Sequence, residues 1–147
     1  MLDALLANLD YAYDLKAWHG PNLRGALRGL RAEDVLWRPA KNRHNIWEEA
    51  AHAAYWKYAA RRKLTGEKRG TFALKGSNFI PAPARLDAKA WRSLIAILDA
   101  EHRRLRAAIA ALTTIDAKQR RLILGVAAHD VYHAGQIRLI QRLRRSK

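Results

Sequence analysis

Apolar residues recur along this chain with the 3.6-residue period of helices, and no segment shows the alternation of a half-buried strand bounded by hairpin turns. Leu2, Leu5, Leu6, Leu9 and Tyr13 form one stripe, which Leu23, Leu27 and Leu30 resume beyond Gly20-Pro21. The pattern predicts a long first helix broken near that proline, which removes a hydrogen bond and crowds the preceding turn. Gly25 and Gly29 share a face of the resumed stretch, where they would admit a closely approaching helix. Glu33 to Trp37 has room for a single turn before Arg38-Pro39 forces extended chain.

A second helix starts at a clear signal. Asn45 with Glu48 three positions on reads as a capping box, and Ile46, Ala50, Ala53, Trp56, Ala60 and Leu64 make a stripe that stops at Gly66. Residues 66–86 have no helical period and contain Gly70, Gly76, Pro81 and Pro83, with Phe72, Phe79 and Ile80 as apolar anchors. A connection this long is usually functional or a packed crossover. A third helix follows from an Asp87 cap, with Trp91, Leu94, Ile95, Leu98, Leu105, Ile109 and Leu112 on its core face. The short turn from Thr113 to Asp116 makes the third and fourth helices antiparallel neighbours. The fourth runs from Ala117 to Arg145, with an Asp116/Gln119 capping box and arginines at its end. The expected fold is all-α, a four-helix bundle with two long connections and one short one, forming a single domain over residues 1–147.

Composition narrows the chemistry. The chain has no cysteine, so disulfides, thiolate metal sites and a cysteine nucleophile are excluded, and any metal must be held by nitrogen and oxygen. A thiol could enter only with a substrate. The first ten residues carry acids at helical spacing instead of a basic region followed by an apolar run, and no stretch approaches a membrane span, so a cytoplasmic protein is expected. A formal charge of +15 raises a nucleic-acid or anionic-membrane partner. Yet Arg and Lys are spread over every segment. Only Arg61-Arg62-Lys63, Arg103-Arg104 and Arg142 to Lys147 form local runs, without interleaved aromatics, which favours a solvated arginine-rich surface over a polyanion site.

The most informative feature is His129-Asp130-Val131-Tyr132-His133. At 100° per residue from Leu122, His129 falls at about 340° and His133 at about 20°, the middle of the apolar face. Such an i,i+4 pair points both imidazoles at one ion. Chance alone yields a His-x3-His pair in roughly one such chain in five, so its central position carries the weight. A third ligand would come from His19, His44, His52 or His102. His52 is favoured because it lies at the border of the second stripe, on the flank of Trp56 and Ala59, where it can reach a cavity between helices. Three histidines would leave coordination positions open, the pattern of a catalytic site. They suit zinc, nickel, copper or iron(II), and ligand type alone does not choose among them.

Trp37-Arg38-Pro39, His44-Asn45-Ile46-Trp47-Glu48 running into Ala51-His52-Ala53-Ala54-Tyr55-Trp56, and His129 through Ile137 resemble, in order and over nearly the whole chain, the DinB-like superfamily of four-helix bundles, also known as YfiT-like metal-dependent hydrolases. The resemblance implies a divalent metal held by one histidine of the second helix and the pair on the fourth: His52, His129 and His133. It also implies an activity among the thiol-dependent transferases and isomerases that use bacillithiol or mycothiol, or among the hydrolases. A low-molecular-weight thiol would then be a co-substrate. Trp18 to Leu23 and Lys75 to Phe79 look like features of a subgroup.

The remaining polar residues have two readings each. His19, before a helix break, is a substrate-pocket or proton-shuttle candidate or a turn residue facing solvent. Trp56 and Gln136 are further substrate-pocket candidates, Gln136 through bound water, and Tyr132 could pack between helices. Glu48 could support His52 but is explained by its cap, and Glu49 is the alternative support or a surface charge. His102 is read as a hydrogen-bonded core residue and His44 as an exposed one. Two further functions stand beside the enzyme: a basic helical module binding nucleic acid with a structural metal, and an assembly domain with a vestigial site, forming a homodimer through a helix face.

Overall fold

In a computed structural model describing residues 1–146, six helices and no strand occur among the described residues: α1 Leu2–Tyr13, α2 Leu23–Ala26, α3 Ala32–Leu36, α4 Ile46–Thr65, α5 Ala88–Ala110 and α6 Ala117–Arg145. Lys147, the last residue of the basic C-terminal run, lies outside them. The chain is all-helical. The long helices α4, α5 and α6 and the shorter α1 pack in a ring in which α1 meets α5 and α6, and α4 meets both as well, so α5 and α6 stand across the ring from one another and are not the neighbours their short turn predicted; residues 111–116 are long enough to cross the end of the ring. None of the helices is long and apolar enough to cross a membrane, among the described residues.

The predicted caps are present. Asn45 Oδ1 accepts from the Glu48 N–H at 2.9 Å, and Glu48 Oε2 accepts from the Asn45 N–H at 3.2 Å. Asp116 and Gln119 reciprocate in the same way at the start of α6, and Asp87 caps α5. Gly66 ends α4 at φ +75°, the left-handed conformation that glycine adopts without a steric penalty.

The first helix is shorter than its stripe suggested. It ends at Tyr13, ahead of the proline, because the next inward positions are Lys16 and Ala17, which offer little apolar surface to bury. Asn22 shapes the following loop from both ends of its amide, donating to the Leu15 carbonyl at 2.8 Å and capping α2 through the Gly25 N–H at 2.7 Å. That contact explains Gly25. A Cβ there would meet Asn22 Oδ1 at 2.7 Å, so the residue makes room for the cap and not for a neighbouring helix. Gly29 likewise serves its own backbone, at φ +73°. The short α2 is tied to α6 by Gln141, whose amide donates to the Ala26 carbonyl at 2.6 Å.

The first half of α4 is buried on nearly all sides, with Ala50, Ala51, Ala53 and Ala54 fully enclosed. The second face beyond α5 and α6 is covered by the 66–87 connection, where Ile80 is buried and Phe72 stacks on Tyr58 with centroids 5.3 Å apart. Two apolar clusters result. One gathers Ala53, Ala54, Leu98, Ala134 and Ile137, the other Leu9, Ala60, Leu105, Ile109 and Ala127. Between them in each long helix stand buried polar residues: Lys57 on α4, Glu101 and His102 on α5, Asp130 and His133 on α6. The candidate site occupies one side of this polar layer.

Candidate metal centre

Three imidazoles meet where α4 passes α6. The Nε2 atom of His129 lies 3.1 Å from that of His52 and 3.0 Å from that of His133, and the three form a group able to hold a metal ion. Hydrogen bonding alone serves this arrangement badly. The single Nε2 proton of a neutral His129 could satisfy only one of its two neighbours, and a further buried lone pair would be left unmatched. The spacing suits a shared cation: bonds of about 2.0–2.1 Å separate donors by about 2.9 Å at a right angle and about 3.3 Å at the tetrahedral angle.

The protonation states agree with that. Burial, followed by the charge of His133, lowers the His52 pKa to about 4, against weaker opposition from the Asn78 backbone and Glu49. Burial, then His133, His52 and Lys57, lowers that of His129 to about 3. Both rings are therefore neutral at pH 7, the form in which imidazole binds a metal.

The surroundings fix the rings. Glu49, a buried carboxylate, contacts His133 Nδ1 at 2.5 Å, which commits the ring proton to Nδ1 and leaves Nε2 free to ligate. Glu48 is fully engaged elsewhere, accepting a two-pronged contact from Arg38 at 2.7 Å on each oxygen in addition to its cap. Phe79 is sandwiched between His52 and His44, 3.8 Å from each ring. Trp56 stands edge-on to His52 and His129 and donates its indole N–H to Asn78 at 3.0 Å. The 66–87 connection thus orders one wall of the site.

Not every candidate joins this cluster. His19 is exposed in the α1–α2 loop, where the backbone turns back on itself through Ala17 and Gly20 instead of entering a pocket. Gln136 is half-buried one turn past His133 and makes no hydrogen bond to the three histidines among the described residues. Tyr132 is mostly exposed, so it does not pack between helices; its ring meets only the edge of His133. Trp56, placed in the core stripe by its spacing, is 37% exposed and borders a groove. His102 is a core residue, stacked on Tyr13 at 3.8 Å and 3.3 Å from Lys57 Nζ through Nδ1. His44 is exposed on one side and stacked on Phe79 on the other.

Two residues went unnoticed in the sequence. Lys57 and Asp130 form an ion pair with no solvent exposure on either side chain, Lys57 also lying over the Tyr13 ring at 4.7 Å from its centroid. Burial pushes the Asp130 carboxyl above its ordinary range, against the pull of Lys57. The signal was there: Lys57 is four residues after Ala53 and three before Ala60, and Asp130 four after Val126 and three before His133, all inward positions.

From His129 a groove of about 820 Å³ extends between α4 and the first half of α6, with Trp56, Ala60, Leu122 and Val126 among its lining residues. The groove thus reaches the histidine cluster at His129. No curated protein and no solved structure matches the chain. The sequence profile of the DinB superfamily does match, over residues 17–137, a span that includes all three clustered histidines, and the chain belongs to that superfamily.

Proposed function

We propose that this protein is a metal-dependent enzyme built as a four-helix bundle of the DinB type, in which His52, His129 and His133 hold a divalent ion, zinc or nickel, and that it transfers a group to or from a small thiol. The observation that carries this reading is the convergence of three Nε2 atoms, those of His52 and His133 lying 3.1 and 3.0 Å from that of His129, backed by the Glu49 contact to His133. A divalent ion held there supplies Lewis acidity, which ionises a thiol or water at neutral pH and polarises an acceptor group.

The chain's own residues favour thiol transfer over hydrolysis. Glu49 lies behind His133 and is occupied by its ring, and the groove side presents Trp56, Gly125 and Val126 around the His129 end. Asp116, the one carboxylate lining the groove among the described residues, is engaged in capping α6. Activation of water commonly draws on such a base, whereas a thiol need only be ionised and bound. Trp56 and Phe79 shield His52 from bulk water, which strengthens the electrostatic influence of any charge placed there.

Elemental analysis of the purified protein beside His52→Ala and His133→Ala tests the site. One equivalent of metal in the parent and none in either variant is expected; retention in either variant overturns the ligand set. Turnover with bacillithiol, mycothiol or glutathione against electrophilic acceptors tests the reaction. Ester or amide cleavage that proceeds without thiol would replace transfer by hydrolysis.

A further inference from the structure

The groove beside His129 carries its own information about what enters it. Its floor is apolar, and its far end is cationic: Lys63 on α4 and Lys118 and Arg121 on α6 line it, and none of the three is in an ion pair among the described residues. The only opposing charge in the lining among the described residues, Asp116, already accepts the Gln119 N–H at 2.7 Å. Arg121 and Lys118 precede His129 by about 12 and 16 Å along the axis of α6, at 1.5 Å of rise per residue.

Gly125 supplies a second, independent observation. It sits in the interior of α6, where glycine weakens a helix, one turn before His129. A Cβ at this position would meet no atom within 4 Å, so no neighbouring side chain or backbone demands its absence. The space that a side chain would fill is the groove itself, which Gly125 lines.

We propose that this groove binds an elongated substrate with an apolar body and a terminal anion, the body lying over Gly125 between Trp56 and Leu122, the anion at Lys63, Lys118 and Arg121, and the opposite end at His129, where the groove meets the histidine cluster. The anion is a carboxylate or a phosphate, since both match exposed Lys and Arg donors. Chain length follows from the layout. A body too short to span from His129 to Arg121 forfeits one end or the other. The inference rests on the proposed metal centre only for what happens at the histidine end; the binding itself depends on this chain's own apolar and cationic residues.

Binding is read on the full-length protein as purified, from the indole N–H resonance of Trp56, assigned with Trp56→Phe, during titration with hexanoate, octanoate, decanoate, octyl phosphate and uncharged decanol. Saturable shifts are expected for decanoate or octyl phosphate, the better of the two naming the headgroup, with affinity rising along the carboxylate series and falling with added salt. Decanol should bind roughly tenfold more weakly or worse, and Lys63→Gln/Arg121→Gln should weaken the anion by a similar factor. Gly125→Leu should abolish binding, with Gly125→Ala as a milder block should the larger residue disturb folding. Equal affinity for decanol and decanoate, indifference to the paired Gln substitutions, or undiminished binding in the Gly125 variants would overturn the proposal. His133→Ala separates the two readings. Loss of metal with retained decanoate binding supports both, whereas a parent protein without metal that still binds decanoate leaves the groove standing and removes the metal centre.

Discussion

Replacing Lys57 by methionine retains most of the side chain's length while deleting a charge at a position with no solvent exposure. Asp130 would then be a buried carboxylate without its cation, and Oδ1 of that residue already lacks a hydrogen-bond partner among the described residues. Removing one member of a buried pair typically costs about 3–5 kcal/mol. The orphaned group has one escape, which is to take up a proton. From a reference pKa of about 3.9, protonation at pH 7 costs about 1.36 kcal/mol per unit over about 3 units, or about 4 kcal/mol, which sets a ceiling on the electrostatic part. The sign follows directly. In the variant the folded state binds a proton that the unfolded state lacks, so the penalty relative to the parent shrinks by about 1.4 kcal/mol for each unit the pH is lowered from 7 to 5. Urea unfolding of parent and variant in EDTA at several pH values measures it, the chelator keeping metal release from entering either curve. Lys57→Met/Asp130→Leu, which removes both charges, should recover to within about 1–2 kcal/mol of the parent. A pH-independent penalty, or one below about 1 kcal/mol, would show that the pair is not desolvated as the structure has it.

Glu49→Gln keeps an acceptor beside His133 but removes the charge, and should lower metal affinity about 10- to 100-fold in competition with a chromophoric chelator; an unchanged affinity would refute a supporting role. Gly125→Ala should raise the stability of the metal-free protein by about 0.5–1 kcal/mol in the same urea assay, because its Cβ meets open space, and a loss of stability would contradict that geometry. Acid should act in two stages. Burial first, then Lys57, Arg106 and Arg103, lowers the His102 pKa from 6.5 to about 3, so its contribution is complete above pH 6.5 and declines below it. For Glu48, burial opposes ionisation but is outweighed by Arg38 and the Asn45 and Ala82 backbone N–H groups, which bring its pKa from 4.5 to about 2, so its contribution fades from pH 4.5 downward. Urea midpoints of the metal-free protein should therefore begin falling near pH 6.5, where the lowered pKa values of His52 and His129 contribute in the same sense, and His102→Gln should make the segment between pH 6.5 and 4 shallower by roughly a third; a profile untouched by that substitution would refute the assignment.

Helices α4, α5 and α6 were legible in the sequence because their determinants are local: Asn45, Asp87 and Asp116 cap backbone groups within one turn, and the apolar spacing selects which face turns inward. The His129/His133 pair was legible for the same reason, since two residues four apart share a helix face wherever that helix lies. The early end of α1 was not, as it depends on how little Lys16 and Ala17 could bury once the other helices are in place. The sequence assigned Glu48 to its cap correctly, but it offered Glu49 to His52, whereas Glu49 serves His133 on the other helix. The two are adjacent and diverge by about 100° around α4, so which carboxylate reaches His133 is fixed by the rotation of α4 against α6. Phe79, Asn78 and the cationic end of the groove belong to the same class of fact, contacts between segments distant along the chain. Local hydrogen bonding and periodicity determine which helices form and which faces they bury; the relative placement of those helices, set by packing across the whole chain, decides which polar atoms end up facing one another.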